Sequence, residues 1–182
     1  SRLADCDAYR GKVLTHAPRQ AYALNQAMKA LNKKQAPVGG FYNTLEDPFW
    51  PIVGEQVRTK GISVDNTKFL SSGLRALDNL YAFRQEADPV LASGNVSASR
   101  LEDLRKQFER LRKEQENLDR LVRLSASVSE SILKGGEGST ERERLNATNW
   151  EQFDKFVHEA HDSFAAAIKE YDAKLNQRAE AQ

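Results

Sequence analysis

RLEDLRKQFERLRKEQENLDRLVRLSASVSESIL, residues 100–133, is the stretch whose reading decides the fold. Its apolar residues Leu101, Leu104, Phe108, Leu111, Leu118, Val122 and Ile132 fall mostly at steps of three and four, which keeps them on one helix face. Gln115, Ser125 and Ser129 interrupt the seam, so it predicts a bundle helix rather than an ideal coiled coil. At ~1.5 Å per residue such a helix is about 50 Å long. Its apolar stripe therefore needs partner helices of similar length. The pairs Glu102/Lys106, Glu109/Lys113, Glu116/Arg120 and Asp119/Arg123 place each acid four residues before its base. That order stabilises a helix by roughly 0.2–0.5 kcal/mol per pair and marks a solvated face.

The neighbouring sequence supplies the partners. Downstream, Gly135-Gly136-Glu137-Gly138-Ser139 reads as a helix stop and flexible link. Thr140 with Glu143, or Thr148 with Glu151, can then form a capping box. The second is favoured because the apolar seam starts at Trp150 and runs through Phe153, Val157, Ala160, Phe164, Ile168, Tyr171 and Leu175, giving a helix over 149–180. Upstream, Asp65 is a fair N-cap for a helix over 66–87 built on Phe69 or Leu70, Leu74, Leu77, Leu80, Tyr81 and Phe83. Gly73 either weakens that helix or permits a close contact with another one. Asp88-Pro89 is expected to end it, and Ser99 with Glu102 to cap the next. The first helix spans about 2–34, with Leu3, Cys6, Val13 and Leu14 and later Leu24, Met28 and Leu31 on its apolar side. Pro18 predicts a break near its middle.

Residues 36–62 read differently. Ala36-Pro37-Val38-Gly39-Gly40 is a breaker cluster, and Phe41, Tyr42, Leu45, Phe49, Trp50, Ile52 and Val53 then crowd around Pro48 and Pro51. The expectation is an ordered aromatic loop, with at most a helical turn near 43–47 or 52–59, capping one end of the bundle. The whole chain, 1–182, then forms one all-α domain: an elongated antiparallel up-down four-helix bundle with that loop inserted. Phe41, Tyr42, Phe49, Trp50 and Arg58 are the candidate partner- or ligand-binding residues. The competing reading of the same aromatics is a hydrophobic plug.

Composition sets further limits. The net charge of +1 argues against a nucleic-acid partner and against strong attraction to an anionic membrane surface. No apolar run is long enough to span a membrane. One cysteine permits no intrachain disulfide. Leu3-Ala4-Asp5-Cys6 is similar to a bacterial lipoprotein processing site, but Asp5 stands where that site requires a small residue, so Cys6 reads as a core side chain. A start at Ser1 without Met fits a processed or truncated product, through removal of a signal peptide or transmembrane anchor or through a cloning boundary. His158 and His161 lie near Asp154 and Asp162, yet the order His-Glu-Ala-His matches neither the zinc-protease spacing nor the paired Glu-x-x-His of di-iron bundles. No phosphate loop, nucleophile elbow or activated Cys–His pair is present. The expectation is no catalytic residue, no metal and no cofactor.

The architecture resembles the extracytoplasmic four-helix sensor domains of bacterial chemoreceptors and sensor kinases, a likeness of topology only. The expected function is a non-enzymatic interaction module binding a protein partner, periplasmic or secreted, with the cytoplasm as the other location. The alternative is a small-molecule-sensing domain of a receptor. The same apolar seams also suit a homodimer.

Overall fold

The predicted seams are helices, and so is the predicted loop. The computed structural model describes residues 2–134 and 140–181, with side chains described from residue 17 onward. The Gly135–Ser139 link, and the side chains of Leu3, Cys6, Val13 and Leu14, lie outside these. Among the described residues five helices follow one another: α1 (Arg2–Asn32), α2 (Gly40–Lys60), α3 (Val64–Ala92), α4 (Ala98–Leu133) and α5 (Glu141–Ala181). No strand occurs among the described residues.

Contacts at successive heights fix how α3, α4 and α5 run. Glu86 pairs with Arg100 at 2.8 Å, Asn79 donates to Glu114 at 2.8 Å, and Gly73 abuts Leu121. The last two helices meet through Arg112 and Asp172 (2.8 Å), His161 and Asp119 (2.5 Å), and Ser125 and Asp154 (2.5 Å). Residue numbers rise on one partner as they fall on the other, so α4 is antiparallel to both neighbours.

The buried side chains form one contiguous core. In α5 all eight expected seam residues are buried, and α3 turns Leu70 inward rather than Phe69. In α4 the buried row passes through Leu118, Leu121, Leu124, Ser125, Val128 and Ser131, leaving Val122 and Ile132 half-covered. Ser125 is accommodated because its hydroxyl donates to Asp154 and its carbonyl accepts Trp150 Nε1–H at 3.1 Å. Ser131 donates to Gln56 Oε1 at 2.7 Å. Both buried hydroxyls are thus satisfied, as the interior requires.

Several boundaries differ from the sequence reading. α1 runs on through Pro18, where a break was expected. Packing holds the segment: Gln20, Ala23 and Leu24 are buried, and Asn149 Nδ2 donates to Ala17 O at 3.2 Å and Gln20 Oε1 at 2.9 Å. The expected four-helix bundle is a five-helix assembly, because residues 40–60 are helix and not a capping loop. α5 starts eight residues before the expected 149, at Glu141. Thr140 accepts from Glu143 N–H at 3.2 Å, so the earlier of the two candidate caps is used. Ser97, not Ser99, caps α4 by accepting from Arg100 N–H at 3.1 Å. α3 continues past Asp88-Pro89 to Ala92, with Pro89 taken into its final turn.

Gly73 settles as a close helix contact. A Cβ there would lie 2.6 Å from Leu121 Cδ2 and 2.7 Å from Leu121 Cβ. The second atom is tied to the backbone, so α3 and α4 would have to part. Gly73→Ala is expected to lower stability by about 1–3 kcal/mol. Leu121→Ala in that background removes the Cδ2 contact but keeps the Cβ one, so a denaturant titration should show no recovery of the lost stability.

Candidate functional site

The aromatic segment is built from its α2 backbone upward. Phe41, Leu45, Pro48, Phe49, Ile52, Val53 and Gln56 are buried, at helical spacing. Phe41 stacks toward Tyr81 and Phe156, with ring centroids 5.3 and 5.9 Å apart. Phe49 lies 4.5 Å from Phe153 and 6.3 Å from Trp150. Both rings are 0% exposed. They belong to the core, so two of the five candidate residues are structural and unavailable to a partner.

The other three share an edge of α2. Tyr42, Glu46, Trp50, Gly54 and Arg58 stand four apart and form one row. Tyr42 is half-buried beneath the Arg75 guanidinium, 4.1 Å from its ring. Glu46 lies beside the same arginine; burial, and then its neighbour Asp47, push its carboxyl above the usual range. Trp50 is 42% exposed, unlike Trp150 at 1%. Arg58 is exposed and folds back so that its Nη1 lies 3.3 Å, and Trp50 Nε1 3.9 Å, from where a Gly54 Cβ would be. Nothing else lies within 4 Å of that point. Sequence reasoning did not single out Gly54. Its signal is indirect: a glycine inside a helix costs roughly 0.5–1 kcal/mol against alanine, and among the described residues no side chain of another helix lies within 4 Å of that point, although Gly54 is buried.

A second polar locus lies between α3 and α5. Tyr171 donates to Asp88 Oδ1 at 2.5 Å. Burial, and then this carboxylate, push the Tyr171 phenol up. One turn away, Tyr81 Oη and Arg84 Nη1 are buried without a well-formed hydrogen bond, although the guanidinium sits 5.3 Å from the Tyr81 ring. Burial raises the Tyr81 phenol and Arg84 opposes that rise. Nearby, Glu170 is held below the usual carboxylate range, chiefly by its hydrogen bond from Lys174.

His161 binds Asp119 across α4 and α5, and His158 stands 3.5 Å from Asp154 on its own helix. The two histidines thus face different carboxylates. Among the described residues, no group of three or more His, Cys, Asp or Glu side chains is placed to hold a metal ion. No helix among them is long and apolar enough to cross a membrane. No protein-family model, curated protein or solved structure matches the chain.

Proposed function

We propose that this helical bundle is a non-enzymatic interaction module that presents the outer edge of α2 to a protein partner. The observation that carries the reading is Trp50, half in solvent beside an exposed Arg58 on the same edge of α2. Tryptophan and arginine dominate the energetic centres of protein interfaces.

The two tryptophans make this testable. Trp150 is shielded, so iodide quenches Trp50 alone. Arg58→Ala is expected to leave the melting temperature almost unchanged, and Trp50→Ala, whose indole is partly covered, to lower it by only roughly 2–4 °C. Both should lose the partner that the wild-type chain retains in affinity capture, and that partner should protect Trp50 from iodide. Identical capture by all three proteins overturns the reading.

A second reading, an extracytoplasmic ligand-sensing domain, is favoured by the unsatisfied Tyr81 Oη and Arg84 Nη1. A buried donor left unpaired costs about 1–3 kcal/mol, and a small acceptor ligand between them removes that cost. A metabolite panel tests it: ligand at about 100 times its Kd adds roughly 2.7 kcal/mol to stability. That gain should vanish in Arg84→Met.

A further inference from the structure

Residues 8–45 contain Arg10, Lys12, Arg19, Lys29, Lys33 and Lys34, and neither Asp nor Glu. The overall charge of +1 conceals this asymmetry, because the compensating acids lie elsewhere in the chain. On α1 the pattern is spatial as well. Arg19, Tyr22, Gln26, Lys29 and Lys33 follow steps of three and four. At 3.6 residues per turn and ~1.5 Å rise they fill about 80° of arc over about 21 Å. The opposite side carries the buried Gln20, Ala23, Leu24, Ala27, Ala30 and Leu31. Arg19, Lys29 and Lys33 are exposed, and none forms an ion pair among the described residues. Tyr22 is 68% exposed between them.

Beside this stripe lies an open groove of about 360 Å³, walled by Tyr22, Ala23, Pro37, Val38 and Pro48, with Arg19 among its lining residues. Val38 is fully exposed. No carboxylate lines the groove. Asp47, adjacent to Pro48 in sequence, does not line it. Lys34 feels the Glu170 carboxylate and is left out of the stripe.

We infer that this face of α1 docks an acidic segment of a protein partner. An apolar side chain of the segment sits in the groove between Tyr22 and Val38, and its carboxylates reach Arg19, Lys29 and Lys33. Among the described residues these cations form no ion pair, so a complementary partner is attracted without first breaking one. The groove decides the class of polyanion. A phosphate backbone gains nothing from Val38, Pro37 and Pro48. Tyr22 and Val38 are themselves exposed beside the cations, so a bilayer surface is kept as an outcome of the test. The inference stands apart from the α2 edge, and Trp50 takes no part in it.

The test uses four probes with the full chain: a short amphipathic peptide of Glu and Leu, its Lys-for-Glu counterpart, a DNA duplex, and phosphatidylserine-containing vesicles. The Glu peptide is expected to bind, more weakly as salt rises. Lys29→Glu with Lys33→Glu should weaken it by roughly tenfold, since two exposed attractions become repulsions. Tyr22→Ala should weaken it too, whereas Lys113→Glu, exposed on α4, binds as wild type. Unchanged helix content and melting temperature in each variant confirm an intact fold. The inference is overturned if the Glu peptide does not bind, if charge reversal leaves its affinity unchanged, if the Lys peptide binds equally, or if DNA or vesicles bind in its place.

Discussion

Phe49→Ala is expected to destabilise the bundle by about 3–5 kcal/mol, while Trp50→Ala, one residue on and 42% exposed, costs only about 1 kcal/mol. The contrast follows from helical geometry. Consecutive residues on a helix point about 100° apart, which here separates the core from solvent. Phe49 is 0% exposed and stacks on Phe153, itself 4.8 Å from Trp150 and 6.3 Å from Phe156. Removing the Phe49 ring leaves a cavity in the middle of that chain of rings, where no main-chain shift can close it without disturbing three helices. Urea denaturation of the two single variants, with unchanged m-values, is the measurement. A loss below about 1 kcal/mol for Phe49→Ala would mean that the neighbouring rings collapse into the gap and that the α2 segment is loosely packed. A loss above about 2 kcal/mol for Trp50→Ala would place its indole in the core and remove the basis for an α2 docking edge.

The same segment shows what the sequence could and could not reveal. Long uninterrupted seams were legible: every expected apolar residue of α5 is inside, and α3 and α4 stand within a few residues of their predicted ends. Their periodicity is set by local geometry and needs no knowledge of the neighbours. α2 also has its period, through Phe41, Leu45, Phe49, Ile52 and Gln56. Pro48 and Pro51 obscured it, because each deletes one helical hydrogen bond and argues locally against a helix. Tyr42 and Trp50 obscured it further, being aromatic residues on the exposed edge. The candidate site was therefore legible in part. Trp50 and Arg58 do face outward, while Phe41 and Phe49 do not, and aromatic content alone cannot tell the two pairs apart. The α1 stripe was hidden for another reason: net charge averages over the chain, and only the helix places Arg19, Lys29 and Lys33 on one side.

Asp78→Ala is expected to cost about 2–4 kcal/mol and to loosen α2 first. α2 begins with Gly39 and Gly40 at φ values of +83° and +90°, and no side chain of its own caps it. The cap comes from α3: Asp78 Oδ1 accepts from Phe41 N–H at 2.7 Å and Oδ2 from Tyr42 N–H at 3.1 Å. One carboxylate thus satisfies two of the free amides and meets the positive end of the helix dipole. Because the donors and acceptor are 36 and 37 residues apart, no capping signal existed near residue 40 to be read. With alanine at 78, both amides lose their partner next to the Phe41 ring, so hydrogen exchange at Phe41 and Tyr42 should accelerate before exchange in α4 does. Asp78→Asn keeps one good acceptor and should lose roughly half as much. Gly40→Ala attacks the same contact from the other side, since a Cβ would fall 2.9 Å from Asp78 Oδ1 and the backbone φ is one that alanine rarely adopts. In the double variant the two losses should add to less than their sum, because the clash disappears with the carboxylate and only the strain of φ remains. Full additivity, or exchange at Phe41 no faster than in wild type, would show that α2 holds its first turn by packing alone.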